Sequence, residues 1–181
     1  AKTNYHAGGV LGHNAIDLAT VLENSGEIIV SEEAQAAGSL YAGGVIGNTA
    51  KAVAVADGKD YAAKNSGTLS FAGIAPSYYA GGVFGYNKVN LPATVLENTG
   101  AVTISAVGSA EVAIASLYAG GVLGYTAAAI TPAEGKDYAA KNSGVVEFGG
   151  TATDYHAGGV LGYNAVAQTT VLENAGNVSF T

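Results

Sequence analysis

The side chains best placed to do chemistry are acids. Asp57 and Asp60 sit three apart, and Glu32 and Glu33 are adjacent. Paired carboxylates can serve as general acid and base in cleaving a polysaccharide, one protonating the leaving oxygen and one activating water or the sugar carbon. Asp60 recurs as Asp137 inside the shared string Gly-Lys-Asp-Tyr-Ala-Ala-Lys-Asn-Ser-Gly (58–67 and 135–144), and Asp57 recurs as Glu134 immediately before it. Enzyme sites break internal symmetry, so these acids read as solvated loop charges. The chain has three histidines, His6, His13 and His156, and no cysteine. No compact His/Asp/Glu cluster accompanies them, and no metal site is expected. Gly58-Lys59 and Gly135-Lys136 are each followed by Asp and lack the earlier glycine of a phosphate loop, so no nucleotide or other cofactor is expected. The Gly-Gly pairs lack the carboxylate of a calcium-binding roll.

What positions all of these groups is a repeat. Ala-Gly-Gly-Val begins at Ala7, Ala42, Ala80, Ala119 and Ala157, at intervals of 35, 38, 39 and 38 residues. A fixed period of this size marks a repeat architecture in which each unit buries its apolar face against its neighbours. A second string follows in every copy: Asn24-Ser-Gly, Asn65-Ser-Gly, Asn98-Thr-Gly, Asn142-Ser-Gly and Asn174-Ala-Gly. Four residues after each Asn stand Ile28, Leu69, Val102, Val146 and Val178; six after stand Val30, Phe71, Ile104, Phe148 and Phe180. This alternation predicts a half-buried strand. The glycine two residues after the Asn is expected to supply a positive φ. Ala-Gly-Gly-Val reads as another strand carrying a bulge or close backbone approach. A third short strand is expected at Thr20-Val-Leu, Thr94-Val-Leu and Thr170-Val-Leu, and at Tyr61-Ala-Ala and Tyr138-Ala-Ala.

Helical periodicity is poor throughout. The expected fold is all-β: a β-solenoid (β-helix) of five coils of about 38 residues, bounded near 1–36, 37–74, 75–113, 114–151 and 152–181. Neighbouring coils would lie ~4.8 Å apart. Asn24, Asn65, Asn98, Asn142 and Asn174 would then stack as a ladder of amides, each able to donate and accept along the column. The preceding residues, Glu23, Lys64, Glu97, Lys141 and Glu173, alternate in charge. Stacked, they penalise a slip by one coil more than they stabilise, since opposite pairs contribute roughly 0.2–1 kcal/mol. Loop lengths alternate too: from motif Ala to Asn, odd copies take 17, 18 and 17 residues and even copies 23 and 23, which makes the repeat a two-coil unit. Loops are expected at 32–39, 49–60, 106–115 and 126–137, and binding would reside there.

Composition bounds the partners. The net charge of −7 disfavours nucleic acid, and no run approaches the ~20 apolar residues of a membrane span. The chain begins at Ala1 without a signal segment and is expected to be a mature or excised piece of something larger. Low charge and abundant Gly, Ala, Ser, Thr and Asn suit a secreted or surface-exposed protein.

The runs Gly-Val-hydrophobic-Gly followed by Asn-x-Gly resemble the GLUG motif, with Val in place of its Leu. The resemblance covers all five copies. It implies a bacterial cell-surface or secreted repeat region, adhesin-like, and offers no catalytic residues. The expected function is a non-catalytic extracellular structural segment of a filament, stalk or adhesin. A glycan- or host-protein-binding module is the alternative, and exposed Tyr61 and Tyr138 would favour it. A polysaccharide-degrading enzyme is expected less because its candidate acids belong to the repeat, and an ice-binding protein because the outward face (Glu27/Ile29, Thr68/Ser70, Ala101/Thr103, Val145/Glu147, Asn177/Ser179) is mixed rather than a regular row of Thr. Partners are expected to be neighbouring repeats of a longer chain or end-to-end copies. Direct head-to-tail addition would set Glu173 beside Glu23, which favours excision from a longer array.

Overall fold

The structure, a computed structural model, describes residues 2–109 and 111–181. Ala110, within the expected 106–115 loop, lies outside them. The described residues form strands and turns without a helix, and every strand pair is parallel. The protein is therefore all-β and solenoid-like.

Four five-stranded sheets run along it, each ordered as the copies occur in the chain. Sheet one stacks Lys2–Gly8, Ala36–Gly43, Ser77–Gly81, Ser116–Gly120 and Asp154–Gly158. Sheet two stacks Leu11–Asn14, Ile46–Thr49, Phe84–Asn87, Leu123–Thr126 and Leu161–Asn164. Sheet three holds the Asn string: Leu22–Asn24, Ala63–Asn65, Leu96–Asn98, Ala140–Asn142 and Leu172–Asn174. Sheet four stacks Ile28–Val30, Leu69–Phe71, Val102–Ala106, Val146–Gly150 and Val178–Phe180. Equivalent positions are in register, as in Ala7↔Ala42↔Ala80↔Ala119↔Ala157.

Ala-Gly-Gly-Val is not one strand. It ends sheet one and turns a corner into sheet two. At that corner two successive N–H groups donate to one carbonyl: Val45 and Ile46 to Val83 O, and Val83 and Phe84 to Val122 O. The second motif glycine makes the bend possible. A Cβ on Gly44, Gly82 or Gly121 would overlap the carbonyl of Gly82, Gly121 or Gly159 in the following copy. The turn glycines after the Asn are also not where a positive φ is needed; the glycines with positive φ are Gly58, Gly135 and Gly150. A Cβ on Gly67, Gly100, Gly144 or Gly176 would instead overlap the carbonyl of Gly26, Gly67, Gly100 or Gly144 below it. Close stacking, rather than backbone conformation, demands both glycine columns.

Two core compartments result. Sheets one and four enclose Leu40, Leu69, Phe71, Tyr78, Ile104, Leu117 and Phe148. Sheets two and three enclose Ile46, Ala63, Phe84, Leu96, Leu123 and Ala140. The expected loops are partly strand. Val53–Ala54 pairs with Leu18–Ala19, and Leu91–Thr94 with Ile130–Pro132. Leu18, Val53, Leu91 and Ile130 all fall four residues after the Asn or Thr ending sheet two, and the last three are fully buried. In the last copy this position is Gln168, whose Oε1 accepts from Ile130 N at 2.9 Å in place of a strand carbonyl.

Candidate functional site

The polar and aromatic side chains form columns that run the length of the molecule. The Asn column is continuous. Asn24 Nδ2 donates to Asn65 Oδ1 (2.7 Å), Asn65 to Asn98, Asn98 to Asn142, and Asn142 to Asn174 (each 2.8 Å). The second proton of each Nδ2 goes to the carbonyl two residues on, at Gly26, Gly67, Gly100, Gly144 and Gly176. Asn65, Asn98 and Asn142 are fully buried. They lie beneath the motif corner: a Cβ on Gly82 would meet the Asn98 side chain, and one on Gly121 that of Asn142. The motif glycine thus makes room for the amide.

A second polar column closes sheet two, with Asn14, Thr49, Asn87, Thr126 and Asn164. Asn14 Nδ2 donates to Thr49 Oγ1 (3.1 Å) and Asn87 Nδ2 to Thr126 Oγ1 (2.9 Å). Each Thr has one proton and gives it to a carbonyl two residues on, Lys51 O or Ala128 O, at 2.7 Å. Nothing is left to donate to the next Asn, so this column is bonded only in pairs.

The charged column is in register as Glu23↔Lys64↔Glu97↔Lys141↔Glu173. Each Lys pairs forwards: Lys64 Nζ to Glu97 at 3.6 Å and Lys141 Nζ to Glu173 at 2.9 Å. The preceding Glu is held by a tyrosine. Tyr138 OH donates to Glu97 Oε1 at 2.5 Å, and the Tyr61 phenol lies by the equivalent carboxylate, Glu23. Each Lys also lies over the ring of its own copy's tyrosine, Lys64 at 5.1 Å from Tyr61 and Lys141 at 5.2 Å from Tyr138. The result is an unbroken run, Glu23–Tyr61–Lys64–Glu97–Tyr138–Lys141–Glu173. Burial and the adjacent carboxylates push both phenols up from the usual range. Tyr61 and Tyr138 are half-buried and engaged, not free surface rings.

Beside this run lies a cleft of about 370 Å³, lined by Asp60, Tyr61, Lys64, Glu97, Lys136 and Tyr138. Asp60 is bonded across it to Lys136 Nζ at 2.8 Å, which holds its carboxyl below the usual range. Asp57, Glu134 and Asp137 are exposed, as are Glu32 and Glu33. Among the described residues no group of three His, Cys, Asp or Glu side chains could hold a metal ion, and no helix is long and apolar enough to cross a membrane.

The sequence reading took His6 and His156 as histidines without a metal cluster; they share their repeat position with Tyr41, Tyr79 and Tyr118. In the structure these five rings stack at centroid distances of 4.8, 5.0, 5.1 and 5.4 Å. It missed a second column on sheet two, where Tyr86, Tyr125 and Tyr163 stack at 5.0 and 5.2 Å. Edge-to-face contacts knit the two columns together, from His6–His13 to His156–Tyr163. The signal was an offset of six from the motif Ala, giving His13, Asn48, Tyr86, Tyr125 and Tyr163. Ring faces are spent on each other, so the columns are packing. Burial and neighbouring phenols push Tyr79 up to about 12. Unfolded phenols ionise near ~10. The folded state therefore keeps a stability contribution below that pH and loses it as pH rises towards the folded value. Thermal melting across alkaline pH, followed with phenolate absorbance, is expected to show the transition temperature falling from about pH 10 upwards, with the phenolate of buried tyrosines such as Tyr79 appearing late and together with unfolding.

Comparison with protein-family models, with curated proteins and with solved structures finds no match to this chain.

Proposed function

We propose that the chain is a non-catalytic structural repeat segment of an extracellular filament, stalk or adhesin, built as a solenoid of five coils of about 38 residues with a two-coil unit. One observation carries this reading: the groups that could do chemistry are committed to equivalent groups in adjoining copies. The amides bond to amides, the rings stack on rings, and Glu97 takes both Lys64 and Tyr138. Asp60, the acid best placed for a hydrolytic role, is tied to Lys136. A catalytic site needs groups aimed at a substrate and poised by convergent neighbours. Here the convergent neighbours are other copies of the same position. The extracellular placement draws on composition and on the GLUG-like motif.

Incubation with a panel of polysaccharides is expected to release no reducing ends. Turnover that disappears in Asp60→Asn would overturn the structural reading. Antibody labelling of intact native cells tests the location, and signal only after permeabilisation would count against it.

A further inference from the structure

Cysteine, methionine and tryptophan are absent from the chain, and tyrosine occurs 11 times. With no sulfur to take up an oxidant and no indole, a one-electron oxidant meets phenols. Several of these phenols gather in the middle of the molecule, and Tyr125 is the centre of the group. Its ring centroid lies 5.0 Å from Tyr86, 5.2 Å from Tyr118 and from Tyr163, and 5.5 Å from Tyr79. Tyr86 and Tyr125 are cross-strand partners in the third and fourth copies, and their ring planes are 12° apart. Both are partly exposed, whereas Tyr79 lies deeper. In-register parallel strands hold equivalent atoms about one strand spacing apart, ~4.8 Å. The ring carbons ortho to one hydroxyl therefore stand beside those of the other.

We propose that Tyr86 and Tyr125 are a site of oxidative cross-linking, joined as a dityrosine by hydrogen peroxide acting through a haem peroxidase. Each phenol gives up one electron and one proton. Hydrogen peroxide takes two of each and leaves as two waters. The two phenoxyl radicals carry spin on their ortho carbons, and a carbon–carbon bond forms between one ortho carbon of each ring. The hydrogen on each joined carbon then moves to the oxygen of its own ring, which restores both phenols. Coupling within the molecule outruns coupling between molecules, because the fold already holds the two rings together. A neighbouring phenol that passes on an electron and a proton moves a radical one ring along. Tyr125, with four tyrosines around it, is where two radicals meet. The bond closes the stretch of chain from Tyr86 to Tyr125 into a covalent loop, as a disulfide would in a chain that had cysteine. It goes beyond the structural role above by tying two copies together through a bond rather than through contacts.

The test is treatment of the full chain with a haem peroxidase and limiting hydrogen peroxide near neutral pH. Dityrosine fluorescence is expected in protein that stays monomeric on a denaturing gel, with an intact mass lower by two hydrogens. Trypsin, which cuts after lysine, should then leave residues 65–88 joined to residues 89–136. Fragmentation of that pair is expected to place the bond between Tyr86 and Tyr125. Tyr125→Phe keeps the ring but not the phenol, and should lose most of the monomeric fluorescence. Tyr61→Phe removes one phenol outside the two ring columns and should keep it. The cross-linked protein should melt about 5–15 °C higher than the untreated one. Fluorescence confined to covalent dimers would overturn the proposal, and so would a bond placed at Tyr79 and Tyr118 instead. An undiminished monomeric yield in Tyr125→Phe would overturn it too. The map of the unsubstituted protein does not depend on how either variant folds. None of these outcomes bears on catalysis or location, so the proposed function stands or falls separately.

Discussion

Asn98→Ala is expected to lower the unfolding free energy by about 3–5 kcal/mol. Asn98 is fully buried and sits mid-column. It accepts from Asn65 and donates to Asn142 and to Gly100 O. Truncation strands a donor on Asn65 and acceptors on Asn142 and Gly100. A buried polar group left without its partner costs about 1–3 kcal/mol, and the methyl that replaces the amide leaves space that water cannot easily satisfy. Asn174→Ala provides the comparison. Asn174 is exposed and has a neighbour on one side only, so its loss should be about 1 kcal/mol. Urea denaturation of the two variants measures both. Equal losses would mean that the column adds nothing beyond each separate turn.

Gly82→Ala is expected to prevent folding at ordinary temperature, a loss above about 4 kcal/mol. Its Cβ would overlap the Gly121 carbonyl and crowd the Asn98 amide. Both obstacles are fixed by pairing on either side, so relief requires moving one copy away from the next. That breaks the amide column and several ladder bonds together. Gly58→Ala separates crowding from backbone strain. Gly58 has φ near 72° and open space around a Cβ, so only the left-handed conformation is penalised. Its loss should be about 1–2 kcal/mol. Circular dichroism and denaturation on both variants would show the difference, and a well-folded Gly82→Ala protein would refute the close-stacking account of the motif.

The sequence was most readable where one residue type repeats at one offset. Asn24 to Asn174 never vary, and the amides do stack. The positions four and six after them line one core compartment, apart from Phe180, which is largely exposed. Columns of mixed chemistry were harder to see. His13, Asn48, Tyr86, Tyr125 and Tyr163 share an offset but not a residue type, and so do Leu18, Val53, Leu91, Ile130 and Gln168. What unites each set is the neighbour above and below, which no single copy reveals. The same limit explains the glycines. Within one copy, Gly67 reads as a turn residue that needs freedom of φ. In the stack it is a residue with another copy's carbonyl pressed against it. Tyr61 and Tyr138 also needed the stack, because the Glu that captures each phenol belongs to the preceding copy.

The paired Asn–Thr column constrains how such a molecule can change in length. Losing a single copy would bring Asn against Asn or Thr against Thr in that column, and Glu against Glu or Lys against Lys in the charged one. Losing or gaining two leaves every step in both columns as it was. The alternating charges, together with the unbonded Thr–Thr step, therefore set a ratchet: recombination between copies is tolerated in doublets and resisted in singles. Lengths of related arrays should accordingly differ by even numbers of copies, the longer ones by insertion of a whole Glu–Lys doublet.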